Sequence, residues 1–344
     1  MKTYVIWNNK GGVGKSTIVF NVAARYAELH NDRQVLVLDM CPQANVTLML
    51  LGGGTQGEQH LFDLQTTGDT IAGYIDDRIG VLTRGQRSGK QFQRRVNEHN
   101  KHMPENLWLV PGDGNLELLA PAISYYANAQ IPQGAWLSVH SWIKELTHEV
   151  TEGNDDWVVF IDTNPSFSVY TELAVVAGTH FIVPFKADDS SRLAVKAMQA
   201  LLYGANPPHP VYSQFTFAAR AAKNGVAIPL CHLFIGNQFT QYRGSASAFE
   251  SMSTAVMQEM HQQFVQAQSR YTARGTIKSF DDFRKEYVYE LRDFNSAGVI
   301  AAHQGRLMSQ LRESRYDVHG KMVPLDRRKI DECRKSVDQI VKLL

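Results

Sequence analysis

Short apolar runs separated by longer amphipathic stretches recur along this chain. The runs are Tyr4 to Trp7, Val35 to Leu38, Leu107 to Val110, Trp157 to Ile161, Phe181 to Val183 and Leu230 to Ile235. They are nearly continuous and often β-branched, which predicts strands buried on both faces. After the first run, Ile18, Val19, Val22, Ala23 and Tyr26 recur at helical spacing. This alternation predicts an α/β fold, a twisted and mostly parallel sheet flanked by helices on both faces. No internal repeat is visible. A single domain over residues 1–344 is expected, with an insertion at 52–106 and a largely helical C-terminal elaboration at 245–344. The elaboration carries a helical pattern on Phe249, Met252, Val256, Met260 and Phe264, and a terminal helix from about Asp326 to Leu344. Pro207-Pro208 and Pro210 predict a surface loop before the sixth strand.

The first candidate chemistry sits between the first strand and its helix, at Lys10-Gly11-Gly12-Val13-Gly14-Lys15-Ser16-Thr17. Strand, glycine-rich turn and helix is the context of a phosphate-binding loop. The glycines let successive N–H groups face a phosphate, and the helix start adds its positive dipole end. In such a loop Lys15 can reach the β- and γ-phosphate oxygens, and Ser16 can ligate Mg²⁺. The plainer alternative is a glycine turn before an ordinary helix, which does not ask for Lys-Ser-Thr in register. Two further strands end in carboxylates, Val35 to Asp39 and Trp157 to Asp162. An Asp at such a strand end typically holds Mg²⁺, often through water; the alternative is a turn cap.

Composition changes this picture little. The chain of 344 residues is 44% hydrophobic and 20% charged, ordinary for a soluble globular protein, with a net charge of +1. A basic surface must therefore be local. Cys41, Cys231 and Cys333 are few and scattered, which suits a reducing cytosol and gives no disulfide or metal pattern. The chain enters a strand at once, so no leader is expected, and no apolar stretch is long enough to span a bilayer.

Lys10 before Gly-Gly makes the loop a deviant Walker A motif. On this motif the chain resembles the ParA/MinD family of P-loop NTPases, and the ParA branch in particular. Met40-Cys41-Pro42-Gln43-Ala44-Asn45-Val46-Thr47 is similar to that branch's first switch, Asp-x-Asp-Pro-Gln-Gly-Asn beginning at Asp39; the match includes Asp39, Pro42, Gln43, Asn45 and Thr47, and it fails at one important place, where Cys41 stands for the second Asp. Asp162-Thr163-Asn164-Pro165-Ser166 is similar to Asp-Thr-Pro-Pro-Ser; Asn164 replaces a proline, a swap expected to loosen the second switch. Leu107 to Leu119 resembles the strand and turn that follow the first switch and carries no chemistry of its own.

The resemblance implies a Mg·ATP-dependent ATPase that dimerises and acts in DNA partition or cargo positioning. Lys10, Lys15 and Asp39 would be catalytic. Gly11 to Thr17, including Val13, would cradle ATP, and Asn237 would meet the adenine edge. Ser16, Asp39 and Asp162 would hold Mg²⁺. Lys10 would cross to the nucleotide of a second copy, so the partner is first of all a homodimer. Non-specific DNA, an activating protein of ParB type and a cytoplasmic, nucleoid-associated location complete the expectation. Tyr242-Arg243-Gly244 resembles a loop of some relatives near nucleotide or DNA.

A family carboxylate at the Cys41 position helps organise the attacking water, and a thiol does this poorly at neutral pH. Either hydrolysis is slow, leaving an ATP-bound scaffold, or a neighbouring group orients the water. Two segments are candidates for DNA. Residues 78–105 hold seven cations against two acids, among them Arg84, Arg87, Arg94 and Arg95. Residues 300–344 hold ten against six, among them Arg327, Arg328 and Lys329. Such runs are also ordinary solvated faces. A MinD-like alternative would lay the stripe of Ile330, Cys333, Val337, Ile340, Val341 and Leu344 on a membrane; packing on the core is the expectation preferred here. Iron–sulfur relatives of the fold would need cysteines at the dimer interface.

Overall fold

The computed structural model describes residues 1–80, 86–131, 133–205, 210–237 and 246–344. All six apolar runs form strands: β1 (Lys2–Ile6), β2 (Gln34–Met40), β4 (Leu107–Val110), β5 (Trp157–Thr163), β6 (His180–Phe185) and β7 (Leu230–Gly236). Two further strands were too short for periodicity to announce. β3 (Arg94–Arg95) pairs antiparallel with β4, and β8 (Val288–Glu290) pairs parallel with β7. The sheet order is β3-β4-β2-β5-β1-β6-β7-β8, and every pairing except β3 with β4 is parallel.

The inner strands feed two cores, because successive side chains leave opposite faces. Tyr4, Ile6, Val35 and Val37 join one cluster, with the Lys15–Leu29, Asn45–Leu50, Asn295–His303 and Arg327–Val341 helices. Val5, Trp7, Leu36 and Leu38 join the other, with helices that include Ile71–Ile79, Asn115–Ala127, Val169–Ala177, Asp189–Tyr203 and Ala246–Gln266. This is the expected sheet covered on both faces.

The 52–106 segment wraps the β4 edge of that sheet. Its Gly54–Thr67 helix buries Leu61 and Leu64 on one side, its Ile71–Ile79 helix buries Tyr74 and Ile75 on the other, and β3 covers the edge between them. The C-terminal region is mostly helical, but it also supplies β8 and a hairpin of β9 (Ser314–Val318) with β10 (Lys321–Leu325). In the terminal helix the stripe from Ile330 to Val341 is buried. Arg25 on the Lys15–Leu29 helix donates to Asp338 at 2.6 Å and fixes the two helices together. Pro207 and Pro208 lie outside the described residues.

Candidate nucleotide site

The glycine-rich loop leaves β1 near the middle of the sheet, where the strand ends converge. Gly12 and Gly14 have φ of +69° and +85°, a region that glycine enters without strain. A Cβ on Gly14 would also lie 2.2 Å from Asn237 Nδ2. Asn237 follows β7 and donates from Nδ2 to Val13 O at 3.0 Å, so the residue expected at adenine stands against the phosphate loop. Lys15, Ser16 and Thr17 open the Lys15–Leu29 helix, whose first turn carries no acidic side chain. Its positive end is therefore left for an anion.

Lys15 is 7% exposed, and its Nζ donates to Asn8 O at 3.2 Å and Lys10 O at 3.1 Å. Burial pulls its pKa below the usual lysine value, against the opposing pull of Asp162 and Cys41. The ammonium is thus already stripped of most water and faces carbonyl oxygens that a triphosphate can replace.

Asp39 and Asp162 end adjacent strands in direct register, and both are fully buried. Asp39 Oδ1 accepts from Cys41 N at 3.0 Å; Oδ2 accepts from Thr47 N at 3.1 Å and Thr47 Oγ1 at 2.7 Å. Asp162 Oδ1 accepts from Thr163 N at 3.1 Å, while Oδ2 has no hydrogen-bond partner. Burial raises the pKa of both carboxyls. The charge of Asp39 raises Asp162 further, against the Ser16 hydroxyl and Lys15. Two buried carboxylates with one orphaned oxygen are the donors a hard divalent cation takes. Ser16, Asp39 and Asp162 therefore fit Mg²⁺. Cys41 sits beside them, 3% exposed, and burial followed by the two carboxylates pushes its thiol pKa up to about 12.

Lys10 does not point into this corner. Its Nζ is ion-paired with Asp188 and lies 3.4 Å from Ser191 Oγ. Asp188 caps the Asp189–Tyr203 helix by accepting from Ser191 N at 2.8 Å. Burial alone would raise the Asp188 pKa, but Lys10 and the two serines outweigh it and hold the carboxyl at about 2. Sequence reasoning missed Asp188. Its place as a helix cap was signalled, since it is an acid just past a strand end and before a helical pattern, but its pairing with Lys10 was not.

The second switch is tied rather than loosened at Asn164. Its Nδ2 donates to Tyr170 OH at 2.9 Å, Tyr170 OH donates to Glu117 at 2.7 Å, and its Oδ1 accepts from Ser166 N at 3.2 Å. The turn after β4 also touches the site through contacts that its sequence did not announce. Gly112 N donates to Thr47 Oγ1 at 2.8 Å, and a Cβ on Gly112 would lie 2.7 Å from Asp39 Oδ2 and 3.1 Å from Ala44 Cα. Neither neighbour can yield, because Asp39 is fixed by three hydrogen bonds. Gly112→Ala should therefore cost roughly 1–3 kcal/mol of stability, as overpacking does. Urea denaturation reads this, and wild-type stability would contradict the close packing.

The basic candidates are distributed unevenly. Arg87 pairs with Asp69 at 3.0 Å and Asp77 at 2.7 Å, and Arg94 also pairs with Asp69. Arg95 lies over the Trp108 ring at 4.8 Å. Arg327, Arg328 and Lys329 are exposed on the first turn of the terminal helix; Arg328 pairs with Glu332 at 3.2 Å. Arg84 and Tyr242 to Gly244 lie outside the described residues.

Residues 1–204 match a family model described as "AAA domain". An uncharacterized protein of Methanocaldococcus jannaschii is 27% identical over 194 residues, 56% of this chain and 62% of that protein; the match thus spans about three fifths of its length. A ParA family protein of Chlamydia trachomatis is 24% identical over 211 residues, 61% of this chain and 69% of that one. Solved structures share the fold, two of them as follows. Cyanothece McdA in complex with ATP aligns with a TM-score of 0.59 at 15% identity, covering 100% of this chain and 96% of that one. A Borrelia burgdorferi protein assigned to plasmid partition, bound to AMPPNP, aligns with a TM-score of 0.53 at 17% identity, covering 98% and 97%. Among the described residues no helix is long and apolar enough to cross a membrane. With its deviant Walker A loop and paired strand-end carboxylates, the chain belongs to the AAA-domain family that this model defines and is a ParA-like P-loop protein.

Proposed function

We propose that the protein is a Mg·ATP-dependent ATPase switch that dimerises across its nucleotide sites and binds DNA without sequence preference. The observation that carries this is the site itself: a phosphate loop bearing Lys10 and Lys15 beside two buried carboxylates in register, one with an orphaned oxygen. Gly11 to Thr17 would hold the triphosphate, Asn237 would border the base, and Ser16, Asp39 and Asp162 would hold Mg²⁺. The metal supplies neutralisation of phosphate charge. Lys15 and the helix start orient the phosphates, and the closed site excludes water.

Lys10 would complete the site of a second copy, and its pairing with Asp188 must then break. Asp188 is 42% exposed in its side chain, so the pair is screened and worth no more than about 1 kcal/mol. Asp188→Asn keeps the helix cap and removes the charge. It should tighten ATP-driven dimerisation by up to about fivefold, read by sedimentation at several protein concentrations. Weaker dimers would show that Asp188 serves the closed state instead.

For DNA, the terminal helix is favoured over the insertion. Arg327, Arg328 and Lys329 crowd a helix N-terminus, where cations are unfavourable, whereas Arg87 and Arg94 are spent on Asp69 and Asp77. DNA binding with and without ATP across a salt series tests the whole reading. Binding should require ATP, and its affinity should fall linearly on a log–log salt plot. Removing the three helix charges should flatten that slope. DNA binding indifferent to ATP would overturn the switch. Slow hydrolysis is a second reading, favoured by the protonated Cys41 thiol. The membrane reading has little support, because the terminal stripe is buried.

A further inference from the structure

We infer that the insertion is a brace for the Mg·ATP site, with Thr70 and Asp113 as positioning residues that act on Asp39 through Thr47. This rests on the ATP-site reading above and extends it to a segment that lies outside the loop and its switches.

The connection is continuous and buried. Thr70 Oγ1 donates to Asp113 Oδ2 at 2.8 Å, and Gln65 Nε2 donates to Asp113 Oδ1 at 3.2 Å. Ile71 N donates to Pro111 O at 2.8 Å. Residues 111–113 are thereby clamped to the junction of the Gly54–Thr67 and Ile71–Ile79 helices. From that turn, Gly112 N donates to Thr47 Oγ1, whose proton goes to Asp39 Oδ2 at 2.7 Å. Thr70, Asp113, Thr47 and Asp39 are all at most 3% exposed. The insertion also grips the helix that carries Thr47. Gly57 comes so close to it that a Cβ would lie 2.3 Å from Leu48 O.

The direction of each bond matters. The Thr47 hydroxyl has one proton, and accepting from Gly112 N leaves that proton for Asp39. If the turn moves away, the hydroxyl can rotate, and Asp39 Oδ2 loses one of the hydrogen bonds that fix its orientation. The carboxylate then meets a cation in a less defined orientation. Outer-shell partners of this kind tune metal affinity without touching the metal. Arg87 and Arg94, by fixing Asp69 next to Thr70, stiffen the outer end of the brace.

The test is binding of a fluorescent ATP analogue titrated with Mg²⁺, with thermal stability measured on the same samples. Thr70→Val removes the hydroxyl at nearly constant shape. It also removes the acceptor of Gly73 N, which caps the Ile71–Ile79 helix, and it should raise the Mg²⁺ needed for half-saturation by about tenfold, the low end of the loss expected for an outer-shell partner. Thr70→Ser should restore the wild-type requirement. If Thr70→Val does not fold, Gln65→Leu removes the other donor and should move the Mg²⁺ requirement in the same direction. A Mg²⁺ requirement unchanged in a variant with lowered stability would overturn the brace, because the contact is then only structural. Wild-type protein that binds no nucleotide with Mg²⁺ would overturn the ATP-site reading instead.

Discussion

Lys15→Ala should abolish ATP binding and, with it, ATP-driven dimerisation. The size of the effect follows from what surrounds the ammonium. Lys15 is nearly buried, and the neighbouring carboxyl that acts on it is Asp162. Without it, a triphosphate would enter a corner holding two carboxyl groups, with the loop's other lysine, Lys10, held away by Asp188. One unit charge at about 4 Å and an effective dielectric near 20 is worth about 4 kcal/mol, or roughly a thousandfold in affinity. The variant should fold, because the lysine donates only to Asn8 and Lys10 carbonyls on its own loop. Equilibrium binding of a labelled ATP analogue reads the first loss and sedimentation with ATP the second. Dimers of unchanged stability in Lys15→Ala would sink the switch.

The same surroundings show why parts of this molecule are legible in its sequence and others are not. The sheet was legible because its inner strands are buried on both faces and must be apolar throughout. The loop was legible because each residue in it answers to a phosphate. β3 and β8 were not, since two or three residues at an edge carry no period. Asp188 was missed for a different reason. Its partner Lys10 lies 178 positions away, and no local pattern signals an ion pair across the fold. Gly112 has the same explanation. Its close approach to Asp39 depends on β2 and β4 being neighbours, a fact of topology. Asn164 looked like a loosening substitution because a lost proline is visible in sequence, whereas the Tyr170 and Glu117 that hold it are not adjacent to it.

These long-range contacts also reassign the basic insertion. Counted along the chain it is the more cationic of the two candidate DNA segments. In the fold, acids outside the 78–105 window neutralise it: Asp69 and Asp77 before it, and Glu145 and Glu152 after it, which pair with Arg78 and Lys90. Local charge excess measured over a sequence window is therefore a poor guide to surface potential when the segment is wrapped around a sheet edge. The terminal helix keeps more of its charge, because Arg327, Arg328 and Lys329 are exposed on its first turn and only Arg328 is ion-paired there among the described residues, with Glu332.

Cys41→Asp should raise steady-state ATP turnover by about a hundredfold, the low end of what a positioned acid–base group contributes. The thiol cannot fill that role as it stands. Its pKa is pushed up to about 12, first by burial and then by Asp39 and Asp162, so it carries its proton at every physiological pH. Asp39 is a weak substitute, because both its oxygens are already held by Cys41 N and Thr47. A new carboxylate at 41 would join two others whose pKa values burial has already raised. Like charges so close disfavour one another. The metal-free variant should therefore be less stable than wild type, and Mg²⁺ should restore the difference, since the cation offsets the added charge. Gain of turnover together with Mg²⁺-dependent stability is the expected pair of results. A folded Cys41→Asp protein that binds ATP and turns it over no faster than wild type would assign water positioning to another group, and the thiol would then be a small buried filler.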